Sequence, residues 1–327
     1  MTTFLRSSPD ELEALIATAA AATGVSAEYV EKDFWATEVL RAACVERSIQ
    51  LPSGQLAPVS FVFKGGTSLS RVFRLTQRFS EDIDLLAVFP DEATLSARHS
   101  VLKQVDVAVS AHLVLSGVVV PGSSTTGVKR YTTYRYATQR SSGVLREGVL
   151  LELGSRGGTQ PAAVHAYTSM VADFARDQLG EGAETWAEFA EFDVLTLAAE
   201  RTLLEKLSGV HTMAMLGDRV KLLGAGRHLY DIACLLKSDD VVDALQALGQ
   251  DGLAALTDDI ERHSLHAGFA SVPRPSRGFA TSPAFDPSSE LHAVIVDAYE
   301  KALPLVHGSK PSSDEMFAVI RERAPFL

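Results

Sequence analysis

Apolar positions along this chain change their spacing several times, and each change marks a candidate element. Pro9-Asp10-Glu11 opens a helix through alanine-rich residues to about Ala22, and Ser26 caps a second helix reaching roughly Glu46. A Pro- and Gly-bearing loop, Leu51 to Pro58, precedes a short apolar run, Val59 to Phe63, that reads as a strand. Next, Leu69, Val72, Phe73 and Thr76 fall on one helical face and Arg71, Arg74 and Arg78 on another. The period then drops to two in Asp82-Ile83-Asp84-Leu85-Leu86, a strand running to Val88. Asp91 to Leu115 reads as a helix running into a strand, and Val128–Gln139 and Gly148–Leu153 as further strands. Breakers fill residues 154–161. From Val194 onward the pattern is helical, apart from a proline-rich stretch, Ser271 to Ser289, expected as an exposed loop. Helices, a short mixed sheet and a helical half predict an α+β fold, divided into residues 1–165 and 166–327.

The strand with period two carries the candidate chemistry. Side chains at i and i+2 share a strand face, so the carboxylates of Asp82 and Asp84 project together. Two neighbouring carboxylates repel each other unless a cation joins them, and Mg²⁺ or Mn²⁺ takes such oxygens together with substrate phosphates. Gly65-Gly66-Thr67-Ser68, just upstream, permits close backbone approach and offers amides and hydroxyls to the phosphates of an NTP. Either half alone is weak, because a Gly-Gly-Thr is commonly a plain turn and an Asp-x-Asp a solvated strand edge. The run is not a Walker loop, since Lys64 precedes the glycines. A phosphate cradle and a metal-binding pair joined by one helix form the layout that nucleotidyl transfer requires. Glu152, the lone charge in an apolar strand, is a further metal-facing candidate or an edge acid facing water. Ser80 shares the face of Asp82 and either meets substrate or caps the strand entry.

Composition narrows the partners. The chain has 327 residues, 46% hydrophobic and 22% charged, with no run long enough for a membrane helix and a start too polar for a signal peptide, which predicts a cytoplasmic protein. Cys44 and Cys234 lack metal-ligand spacing and read as reduced thiols. A net charge of −11 argues against broad nucleic-acid binding. Lys129, Arg130, Arg135, Arg140 and Arg146 nevertheless occupy an interval without an acid, interleaved with Tyr131, Tyr134 and Tyr136. That interval is either a single-stranded RNA path or an ordinary exposed strand pair.

Five segments resemble one family. KGGTSLSRVFRLTQRFSEDIDL (64–85) is similar to the signature of AbiEii/AbiGii-type nucleotidyltransferases, the toxins of type IV toxin–antitoxin systems. VEKDFWATEVL (30–40), LLELGSRGG (150–158), AAERTLLEKLSGVH (198–211) and RHLYDIACL (227–235) resemble its other motifs in the same order. The resemblance implies a polymerase-β-type fold with a helical C-terminal lobe, and transfer of a nucleoside monophosphate to RNA, with the 3′ end of transfer RNA one known target. A cognate antitoxin is implied as partner. Lys206, by itself one more solvated helix lysine, becomes a phosphate clamp; Asp231, otherwise a helix acid pairing with Arg227, becomes the residue that orients it. Arg201 is expected as a surface ion pair and Lys32 with Asp33 as a structural salt bridge. A small hydroxylated acceptor and a catalytically silent binding module are the competing readings.

Overall fold

The structure, a computed structural model, describes residues 3–113, 119–136, 145–323 and 327. The expected helix end at Leu115, the strand end at Gln139 and the candidate Arg140 lie outside the described residues. The chain forms two units. The first comprises residues 1–72, 80–155 and 162–196, and the second 73–79, 156–161 and 197–327. The first unit thus continues past the expected boundary at residue 165.

The first unit is built on a mixed sheet. Its strands are β1 (Arg47–Gln50), β2 (Leu56–Lys64), β3 (Asp82–Val88), β4 (Val119–Thr125), β5 (Lys129–Tyr134), β6 (Val149–Gly154), β7 (Ala162–Tyr167) and β8 (Phe192–Leu197), ordered β4-β5-β6-β3-β2-β8-β7 with β1 against β2. β2 and β3 run antiparallel, β3 and β6 parallel. Alternation fixes the two faces. Ile83 and Leu85, Leu151 and Leu153, and Phe61 and Phe63 all point into the core. Across that face lie α2 (Ala27–Ala43) and α4 (Leu95–Leu113), with α1 (Pro9–Thr23) packed on α2. Ser26 caps α2 as expected, its hydroxyl accepting the Tyr29 amide. β7 and the short α5 (Met170–Phe174) carried no recognisable periodic signal.

The helix expected from Thr67 to Arg78 stops early. α3 spans only Gly65–Arg71, and Arg74 takes a left-handed backbone with φ of 56°. Arg74 lies in the segment Phe73–Phe79, which belongs to the second unit. The three arginines therefore form no common face. Arg71 pairs with Asp33 at 2.8 Å and Asp173 at 3.2 Å, whereas Arg78 pairs with Asp231.

The second unit is helical: α6 (Ala199–Met215), α7 (Arg219–Gly224), α8 (Gly226–Lys237), α9 (Asp239–His266, bent at Gly249), α10 (His292–Ala302) and α11 (Ser313–Glu322). The proline-rich stretch is not an exposed loop. Phe279, Ala284 and Phe285 are buried, and the Ser282 hydroxyl meets His211 Nδ1 at 2.9 Å. Apolar residues spaced among prolines supply this burial without helical periodicity. Among the described residues no helix is long and apolar enough to cross a membrane.

Candidate active site

In the first unit, strand register assembles a row of polar side chains. Lys64 of β2 pairs with Asp84 of β3, Asp84 with Glu152 of β6, and Glu152 with Tyr131 of β5. Directly paired residues share a sheet face, so the four line up opposite the core, with Asp82 one pleat away. Asp82, Asp84 and Glu152 are all half-buried. Burial pushes the Glu152 carboxyl upward, and the Asp84 and Asp82 charges push it further. A hydrogen bond with the Tyr131 hydroxyl acts in the opposite sense. Tyr131 itself is pushed up to about 12, by burial first and Glu152 second.

The glycine turn closes against this row. Gly65 has φ of 81°, and a β-carbon there would collide with the Asp84 carboxylate. Only glycine therefore allows the turn and the acid to approach so closely. The Thr67 hydroxyl donates to the Asp82 carbonyl at 2.7 Å, and Ser68 Oγ donates to the Gly65 carbonyl at 2.9 Å. Both residues are buried, and their hydroxyls brace the turn. Gly66 opens the same short helix, and Ser80 is half-buried just ahead of β3.

Asp84 and Glu152 on paired strands, with Asp82 on the same face, supply the hard oxygen donors that a divalent cation takes, and the two aspartates raise the cost of the Glu152 charge. Among the described residues no three His, Cys, Asp or Glu side chains are gathered as a ready metal cage.

Behind the row, Lys32 of α2 is 2% exposed. Its Nζ donates to the Arg146 carbonyl at 2.6 Å and lies 3.5 Å from Glu81 Oε2. Burial lowers its pKa, while Glu81 and then Asp82 raise it. Asp33 turns elsewhere, accepting the Met170 amide at 2.6 Å and forming an ion pair with Arg71 at 2.8 Å. The two residues thus serve different partners.

Among the described residues of the basic, aromatic interval, several side chains have partners within the fold. Arg130 pairs with Asp106, which also accepts from Thr132 at 3.1 Å and from the buried Tyr134 hydroxyl at 2.8 Å. Tyr136 stacks on Trp35 with ring centroids 5.4 Å apart. Lys129 stands over the Tyr131 ring, and the exposed Arg135 lies 3.8 Å from Glu147. Arg130 is thereby committed to the fold, and Tyr131 to Glu152.

The second unit holds its own charged cluster. Asp231, fully buried, accepts two hydrogen bonds from Arg78, at 2.6 and 2.7 Å, and pairs with Lys206 at 2.9 Å. Burial opposes its charge, yet Lys206 and Arg78 hold its carboxyl down to about 2. Burial, then Lys206, lowers His228 to about 3, so its neutral Nδ1 accepts from Lys206 at 3.4 Å. Arg227 is thus replaced by Arg78 as the partner of Asp231. The role of Arg78 was concealed in the sequence because its partner lies 153 residues away; its one signal was a place four residues ahead of Asp82. Arg201 is not at the surface: it is 1% exposed and bound to Glu205 at 3.2 Å and Asp259 at 2.8 Å.

Paired acids on a central strand, approached by a glycine turn in a mixed sheet, define the fold of a nucleotidyltransferase. The chain is similar in structure to MenT4, a nucleotidyltransferase toxin from Mycobacterium tuberculosis H37Rv, with a TM-score of 0.53 and 18% identity, covering 96% of this chain and 88% of that one. The family profile of the nucleotidyl transferase AbiEii toxin, of type IV toxin–antitoxin systems, matches residues 55–319. The protein belongs to the AbiEii family and is a nucleotidyltransferase. No curated protein sequence matches it.

Proposed function

We propose that this protein transfers a nucleoside monophosphate from an NTP to an RNA hydroxyl, that of the transfer-RNA 3′ end, releasing pyrophosphate and arresting growth. Asp82 and Asp84, with Glu152 beside them, hold Mg²⁺ or Mn²⁺. Bound there, the ion neutralises phosphate charge and acidifies the attacking hydroxyl. Glu152, on the strand beside Asp84, accepts the proton of that hydroxyl. The oxygen bonds to the α-phosphorus as the bond to the leaving pyrophosphate breaks. Backbone at Gly65, Gly66, Thr67 and Ser68 cradles the phosphates, and Ser80 flanks them. Lys206, oriented by Asp231, is the phosphate counter-charge, an assignment supported by the family motif and by their 2.9 Å ion pair. Lys129 and Arg135 contribute the remaining surface charge toward RNA. A cognate antitoxin restrains the enzyme, which works in the cytoplasm where NTPs and transfer RNA are found.

The observation that carries this reading is the Asp84–Glu152 pair with Asp82 on the same face, closed by the turn at Gly65. A small hydroxylated acceptor competes for the same chemistry, favoured by the internal commitment of Arg130. Incubation with each labelled NTP and purified transfer RNA, or a small-molecule acceptor, separates the two. Label is expected on transfer RNA, with a loss on the order of 10²–10³-fold in Asp82→Ala. Label on the small acceptor alone would replace the RNA reading, and full activity in Asp82→Ala would remove the metal pair from the mechanism.

A further inference from the structure

Three acids placed together before any cation binds should drive the strand heads apart, so something must hold them. Two observations point to the same residue. The first is burial: Lys32 is 2% exposed in the middle of α2, where a lysine is rarely tolerated without a compensating role. The second is what it touches. Glu81, immediately before β3, accepts both from Lys32 Nζ and from the Arg146 backbone N–H, and the Arg146 carbonyl accepts from Lys32. Lys32, Glu81 and Arg146 therefore close a ring joining α2, the head of β3 and the approach to β6. Those two strands carry Asp82, Asp84 and Glu152. Asp82 also acts on Lys32 through its charge.

We propose that Lys32 is the built-in counter-charge of the carboxylate site, tying the heads of β3 and β6 together and offsetting Glu81 and Asp82 until a divalent cation binds. Lys32 touches neither substrate nor reacting atoms; it is a positioning residue. The inference rests on the metal-binding reading of Asp82 and Asp84. A purely structural lysine would contribute the same stability whether or not metal is present. A counter-charge matters most without metal, because the incoming cation takes over part of its work.

The test is thermal unfolding of the intact protein and of Lys32→Met, each in EDTA and in saturating Mg²⁺ alone. Wild-type protein is expected to melt higher in Mg²⁺. Lys32→Met should melt about 5 °C or more below wild type in EDTA, with that deficit at least halved in Mg²⁺. An equal deficit in both conditions, or none in EDTA, overturns the role of Lys32 while leaving the metal site standing. A wild-type protein indifferent to Mg²⁺ and Mn²⁺ overturns the metal reading and this inference with it. Lys32→Met/Asp82→Asn covers the case in which the single variant does not fold. Removing the charge that Lys32 offsets should restore folding and at least half of the EDTA deficit, and failure to do so counts against the proposal.

Discussion

Asp231 serves two cations with one carboxylate and is fully buried. Replacing it by asparagine strands Arg78 and Lys206 in the interior, at an expected cost of about 3–5 kcal/mol. The pH dependence has a definite sign. The folded carboxyl is held down to about 2, below its ordinary value of 3.8, so its contribution is complete above pH 4 and is lost as pH falls toward 2. Urea titrations should therefore show a wide gap between wild type and Asp231→Asn at pH 5 that narrows steadily toward pH 2. A gap independent of pH would mean that Asp231 is not the anion of this cluster. Local periodicity was enough for some of the residue-scale geometry and misleading for the rest, as the dispersed Arg71, Arg74 and Arg78 show. A spacing of two suffices to put Asp82 and Asp84 on one face. It says nothing of Tyr131 beside Glu152, because that neighbour is set by strand register.

Elements with one environment along their length were legible, and those shared by two environments were not. α2 matched its capping serine and its apolar run to within a few residues. The apparent helix through Leu69, Val72, Phe73 and Thr76 failed because its apolar positions are buried in different units, Leu69 in the first and Thr76 in the second. β7 is exposed along most of its length and so offered no alternation to detect. Loop 156–161 shows how such unpatterned pieces are held. Arg201 of α6 bonds the Gln160 carbonyl, and its guanidinium occupies the space a side chain at residue 158 would need. Gly158→Ala is expected to lower stability by about 1–3 kcal/mol, seen as a fall of several degrees in the melting temperature. Gly224→Ala, which meets nothing within 4 Å, is the control and should melt like wild type. Equal melting of both variants would show that Arg201 yields freely.

For the molecule as a whole, the α+β class and the family were readable from the order of five motifs. No periodicity announces that residues 73–79 leave the sheet unit to be seated among helices. There, the Gln77 carbonyl accepts from the His307 amide at 2.9 Å, Phe79 donates to Leu305 at 3.0 Å, and the Phe79 and His307 rings stack. The last helices, where no motif was recognised in the sequence although the family match runs to residue 319, thus supply structure to the segment leading into β3. Deleting residues 303–327 should lower the melting temperature by about 10 °C or more and open residues 73–79 to protease; a truncated protein that melts unchanged and resists cleavage would contradict this. The same threading has a bearing on synthesis. Ser309, which donates to Gln77 Oε1, emerges from the ribosome 232 residues after it. At about 5–20 residues per second, translation runs on for about 10–50 s before that partner exists. The second unit therefore closes around residues 73–79 only after residue 309 has been made.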